Sequence, residues 1–243
     1  MIFFAKSKVL LYSFRQFLYQ ILKDAMLVMA LAAPFLMGIF IRYGIPLGEK
    51  LLTAKFHQEA VLEPYYLIFD LFLAVLIPLM YCFIAAMVLL EEIDDKISNY
   101  MAVTPLGKNG YLISRLGIST AISLLVTVIC IPVFSLTMGV SVLMIGISIL
   151  SCLSGFIESL MVVSLSANKV EGMAVVKLTG IITLGIPAPF FITGKIQYIL
   201  LFLPSFWIGK YAATSNFFYF VIGIGISAVW IIFLWEKFDR KLI

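Results

Sequence analysis

Residues 66–90 read YLIFDLFLAVLIPLMYCFIAAMVLL, twenty-five positions carrying a single charge, Asp70. A helix needs about 20 apolar residues to cross the hydrocarbon core of a bilayer, so this stretch is long enough to span. Working outward, further apolar runs lie at about 25–43, 112–136, 139–166, 175–193 and 217–235. Each reaches or approaches spanning length, which predicts an all-α integral membrane protein with six transmembrane helices. The composition agrees: of 243 residues, 63% are hydrophobic and 12% are charged, against roughly 25% charged in soluble domains. Six spans leave no room for a sizeable water-soluble domain, so residues 1–243 are read as one membrane domain.

Three segments fall outside the six runs. In residues 1–24, Leu10, Phe14, Phe17, Leu18 and Ile21 share one helical face, opposite Lys8, Arg15, Gln16 and Lys23. That pattern predicts an amphipathic helix lying in the membrane interface. No small-residue cleavage site follows it, so the amino terminus is expected to be uncleaved. Residues 194–212 hold a short apolar stretch broken by Pro204, which suits an outer re-entrant segment before the last span. Pro187 and Pro189 predict that the outer end of the fifth span is irregular. Residues 91–108 are the loop after the second span. Six spans put both termini on one side, and twelve Lys and Arg, including Lys6, Lys96, Arg115, Lys169 and Lys241, fall there. Arg42, Lys50, Lys55, Lys195 and Lys210 fall on the other. The inside excess of bases therefore predicts cytoplasmic termini. The net charge of +4 is read as a topology signal, with no nucleic acid implied.

Soluble-enzyme chemistry finds little support in the residues. His57 is the one histidine, Cys82, Cys130 and Cys152 sit in apolar runs without metal-ligand spacing, and no catalytic motif or phosphate-binding loop is present. If ATP drives the protein, another chain must hydrolyse it. The informative segment is Glu91-Glu92-Ile93-Asp94-Asp95-Lys96-Ile97-Ser98-Asn99-Tyr100-Met101-Ala102-Val103-Thr104-Pro105-Leu106-Gly107-Lys108. Four acids stand at a membrane end where bases are the rule, and Ile93, Ile97, Tyr100 and Met101 recur at helical spacing. A short helix with one acidic face is predicted, ended by Thr104-Pro105 and able to dock on a soluble partner. The competing reading is a solvated charge run.

This loop, from Glu91-Glu92 to Thr104-Pro105-Leu106 between the second and third of six spans, resembles that of type-2 ABC exporter permeases. The stretch Asn168-Lys169-Val170-Glu171-Gly172-Met173-Ala174 is similar to one common in the drug-exporting branch of that family. The amphipathic first helix and the segment before the last span match the same architecture. The resemblance implies two paired permeases, as a homodimer or heterodimer, each resting a coupling helix on a nucleotide-binding ATPase subunit that holds ATP and Mg. It makes Glu91, Glu92, Asp94, Asp95, Lys96, Tyr100, Thr104, Pro105 and Leu106 the coupling segment. Asn168, Lys169 and Glu171 become a lesser cytoplasmic contact. The cargo it implies is hydrophobic or amphiphilic: a drug, an antibiotic peptide or a lipid. The rival is an autonomous six-span secondary transporter, or a membrane substrate-binding component without an ATPase.

Within the fourth span, Glu158 is the one carboxylate near mid-membrane, and a charge there costs about 2.5–3.5 kcal/mol on insertion scales. It is expected to face protein or water, as a substrate-pathway group or as a hydrogen-bonded acid between helices. Ser151, Gly155 and Ser159 lie beside it, a small-residue stripe that admits a close helix. Asp70 is expected at the membrane interface, and most aromatic residues of the last span are expected to face lipid or anchor at its edge.

Overall fold

The computed structural model describes residues 2–57, 59–96, 111–192 and 194–241, and every regular element among them is helical. Six helical segments are long and apolar enough to cross a membrane: Ala25–Phe56, Glu63–Asp94, Ser114–Phe134, Val142–Leu165, Lys169–Phe191 and Phe217–Lys241. The six expected spans are all present, and helix α1 (Ile2–Lys23) precedes them.

Polar side chains start these helices where the apolar runs begin. Asp24 accepts a hydrogen bond from the Met26 amide at 2.9 Å and caps α2 (Ala25–Ile39). A π-helical turn, Phe40–Gly44, passes α2 into α3 (Ile45–Phe56), so the first span runs well beyond the expected end near residue 43. The chain then returns through His57, whose φ of 52° is left-handed. Glu49 holds that return by accepting from the amides of Val61 and Leu62 at 2.8 and 2.6 Å. Helix α4 (Tyr66–Asp94) contains Pro78, and α5 (Ile118–Phe134) follows a second π turn, Ile113–Gly117. Ser141 caps α6 (Val142–Leu165) and Asn168 caps α7 (Lys169–Thr179).

The fifth span is irregular over more of its length than the prolines predict. It leaves α geometry at Gly180, runs as a 3-10 helix to Gly185, and resumes as α8 (Ala188–Phe191). The apolar stretch within residues 194–212 is interrupted before Pro204, which opens a helix, α9 (Pro204–Thr214), at the position where its missing N–H costs nothing. Before it, Lys195–Leu200 form a second 3-10 turn. Helix α10 (Phe217–Lys241) completes the chain.

Helices α4 and α6 form the centre of the bundle and make its most extensive contact. The small-residue stripe makes that contact possible. A Cβ at Gly155 would stand 2.8 Å from the carbonyl carbon and oxygen of Pro78, so only glycine lets the two backbones approach this closely. Helix α10 covers another side of α6, and α9 fits between them, with Phe206, Trp207 and Ile208 buried. The Trp207 indole donates to the Leu201 carbonyl and the Trp230 indole to that of Phe202, both at 2.8 Å. Two aromatics near the last span thus pin the segment that precedes α9, and Trp230 is more than a lipid-facing side chain.

Candidate functional site

Two clusters of charged groups lie at one end of the bundle. Lys169, the first residue of α7, extends its ammonium to Asp24 at 2.8 Å and to Glu91 at 2.6 Å. Its backbone amide donates to Asp94 at 3.0 Å. A single residue therefore ties the start of α2, the last turn of α4 and the start of α7. The other two residues of that stretch secure the same turn. Asn168 accepts from the Glu171 amide at 2.9 Å, and Glu171 accepts from the Ala167 amide at 2.7 Å, a reciprocal cap. The Lys169 ammonium holds the Asp24 carboxyl below its ordinary value of 3.8, so Asp24 is ionised at neutral pH. At the same end, the ammonium of Lys241, at the close of α10, donates to the carbonyls of Val163 and Ser166.

Beneath this junction lies a second charge cluster. Glu92 is fully buried and accepts from Arg115 Nε at 2.8 Å, Arg115 Nη2 at 2.5 Å and the Tyr111 hydroxyl at 2.5 Å. Burial pushes the Tyr111 phenol well above its ordinary range, which keeps it a donor to the carboxylate. The Arg115 guanidinium also lies 5.5 Å from the ring centres of Phe17 and Tyr111. Through Phe17, α1 is packed onto the cluster.

These contacts correct parts of the sequence reading. Glu91, Glu92 and Asp94 belong to the last turn of α4, not to a loop, because the helix continues past the apolar run. Glu92 presents no acidic face to solvent: its charge is balanced inside the bundle. Arg115, counted as a loop base, is the balancing group. Asp94, Asp95 and Lys96 are exposed. Tyr100, Thr104, Pro105 and Leu106 lie outside the described residues.

Glu158 is buried between α6 and the break in the fifth span, where it accepts a hydrogen bond from the Thr179 hydroxyl. Thr179 is the last residue of α7, so the carboxyl group meets the fifth span where its α geometry ends. Val75, Leu79, Ser154, Thr183 and Ser205 surround this contact. Asp70, expected at the membrane interface, is buried within the bundle. It accepts from the amides of Leu136 and Thr137 at 2.8 Å each and from the Thr137 hydroxyl at 2.6 Å. The carboxylate thereby closes the turn between α5 and α6, and Arg42 reinforces it by donating to the Ser135 carbonyl at 2.9 Å.

Sequence reasoning missed Asp24, Arg115 and the role of Asp70, although each left a signal. Asp24 directly precedes an apolar run, the place of an N-cap. Arg115 and Asp70 are lone charges within apolar runs, and such charges turn inward to a partner.

Among the described residues no cluster of His, Cys, Asp and Glu is arranged to hold a metal ion, and all three cysteines are free and buried. Six apolar helical segments, a bundle centred on α4 and α6 and a cluster of charges at one end define a multi-pass helical membrane protein. The family model described as "Fluoroquinolones export permease protein Rv2686c-like" matches residues 17–235, and the chain belongs to that family. Two curated relatives from strains of Mycobacterium tuberculosis, the fluoroquinolones export permease proteins MT2760 and Rv2686c, are each 26% identical to it over 192 residues. The alignments cover 77% of this chain and 75% of each relative. No solved structure matches the chain.

Proposed function

We propose that this chain is the transmembrane subunit of an ATP-binding-cassette exporter that moves hydrophobic or amphiphilic compounds, fluoroquinolone-type drugs among them, out of a bacterial cell. A separate ATPase subunit supplies ATP and Mg, a second permease completes the pathway, and both termini are cytoplasmic. The observation that carries this reading is the Lys169 junction. It joins the last turn of α4, which leads toward the coupling loop, to the fifth span and to the start of the first, so a push on that turn reaches several helices together. Family membership supports export, and the names of the relatives support the drug class. Asn168, Lys169 and Glu171 act in this reading by holding the junction as well as by lying near the partner.

The test is purification of the tagged chain from its native membrane in mild detergent, with mass spectrometry of co-purifying chains and an ATPase assay. A phosphate-loop ATPase in stoichiometric amount, released by Asp95→Lys with Lys96→Glu, is expected. Both side chains are exposed, so that variant leaves the buried charges intact. A chain that purifies alone, and whose transport survives the charge reversal, assigns the protein to autonomous transport instead.

Glu158 is assigned to the cargo pathway. Glu158→Gln keeps an acceptor for Thr179 and is expected to fold, while changing cargo range or the pH dependence of efflux. Efflux identical to that of the natural protein at every pH reduces Glu158 to packing.

A further inference from the structure

The amphipathic helix α1 does not lie flush on the bundle. Between it and helices α2, α4 and α5 is a cavity of about 180 Å³. Phe14, Leu18 and Leu22 of α1 form one wall, and Ile84, Ser119 and Ile122 form another. Leu18 and Leu22 are 43% and 69% exposed, whereas Ile84 is 2% exposed, so the cavity opens on the Leu18–Leu22 side and closes against α4. The lining is almost wholly apolar, and the Ser119 hydroxyl is turned away to the Arg115 carbonyl at 2.6 Å. Such a space admits hydrocarbon and excludes charge and water.

The sequence of α1 holds four bases and no acid. Arg15 is exposed and stands three and seven residues before Leu18 and Leu22, on the border of the polar face beside the mouth. Lys23 is exposed one turn after Tyr19, with its ammonium 4.4 Å from that ring's centre. An apolar cavity with the exposed Arg15 beside its mouth, on a helix read as interfacial, matches a molecule with a hydrocarbon tail and an anionic head.

We infer that this cavity is a binding site for one anionic phospholipid, with an acyl chain between α1 and the α4–α5 wall and its phosphate at Arg15. The site is separate from the Glu158 region and does not depend on what drives transport. It gives α1 a second function. Phe17 of α1 packs on Arg115, so the lipid that fills the space beside Phe17 supports the buried Arg115–Glu92 pair and, through the last turn of α4, the Lys169 junction.

The experiment is photo-cross-linking of the detergent-purified full chain with phosphatidylglycerol carrying a diazirine in one acyl chain, with adducts mapped by mass spectrometry. Adducts are expected on peptides containing Leu18, Ile84 and Ile122, competed by unlabelled phosphatidylglycerol and far less by phosphatidylcholine. Ile122→Trp fills the cavity and is expected to abolish them. Arg15→Glu is an exposed change that leaves the packing intact, and it is expected to lower the preference for phosphatidylglycerol by about five-fold or more, the worth of one base at a lipid surface. Adducts spread evenly over the uncovered face of α10 would overturn the site. Equal competition by phosphatidylcholine would overturn the anionic head group. Displacement by ciprofloxacin without displacement by phosphatidylglycerol would make the cavity a cargo site and overturn the lipid assignment.

Discussion

Arg115 clasps Glu92 through two hydrogen bonds, at 2.8 and 2.5 Å, and neither side chain is exposed at all. Removing one partner strands the other charge in the bundle. Arg115→Met is therefore expected to destabilise the protein by about 3–5 kcal/mol, the usual cost of breaking a buried pair. The double variant Glu92→Gln with Arg115→Met removes both charges and is expected to recover part of that loss. The folded fraction remaining after heating in detergent checks both; a double-variant loss equal to the sum of the Arg115→Met and Glu92→Gln losses would show that the charges are not coupled.

Asp24 does two things at once, and pH separates them. Its folded-state value is depressed, so its ion pair with Lys169 contributes stability in full above the unfolded value near 3.8. That contribution is lost as pH falls through the lower folded value. Asp24→Asn retains a side-chain acceptor for the Met26 amide but no charge. The stability gap between the natural protein and Asp24→Asn is expected to be constant around neutrality and to close under acid conditions below about pH 4. Thermal melts in detergent from pH 7 to pH 3 read it directly, and a gap that widens toward acid would refute the assignment.

Glycine at 155 and glycine at 225 should respond oppositely to the same change. Gly155→Ala drives a methyl group against the Pro78 backbone and is expected to cost about 1–3 kcal/mol as overpacking. At Gly225 nothing stands within 4 Å of a new Cβ. Gly225→Ala is expected to be neutral or to stabilise α10 by up to about 1 kcal/mol. Paired melting curves of the two variants test the contrast.

Asp70→Ala removes the acceptor of the Leu136 and Thr137 amides in a partly buried turn, and hydrogen bonds to a charged group are worth about 1.5–3 kcal/mol each. Loosening of residues 135–138 is expected first, seen as new protease cleavage in that turn while the remaining helices stay protected. Cleavage unchanged from the natural protein would show that Arg42 alone suffices to hold it.

The spans were legible because hydropathy over twenty residues is a sum, which single exceptions barely alter. The exceptions themselves were less legible. Glu92 has acids on nearly every side in sequence, which reads as a solvated run, and its partner Arg115 lies 23 residues away. Charge neutralisation between helices is a tertiary fact that no local window contains. Glu158 and its small-residue stripe were legible, because an acid among apolar residues must turn inward and small residues must admit a neighbour. The Lys169 junction was half legible: both motifs were visible, but their meeting with Asp24 depends on how three chain ends converge. The break at Gly180 carries no proline of its own, and Pro187 and Pro189 point several residues downstream of where it starts.

The 3-10 stretch Gly180–Gly185 makes the fifth span a torsional element. At about 3.0 residues per turn its six residues complete two full turns, whereas α geometry at about 3.6 would complete about one and two-thirds. Rewinding the stretch into α-helix would turn everything beyond it by about 120° and draw it in by about 3 Å. Ala188, now buried at the start of α8, would swing away from its place against α9, and Ile186, whose carbonyl sits where a side chain on Gly209 would need to be, would swing with it. The seating of α9 against Ile186 and Ala188 therefore fits the 3-10 winding of the fifth span and not the α winding.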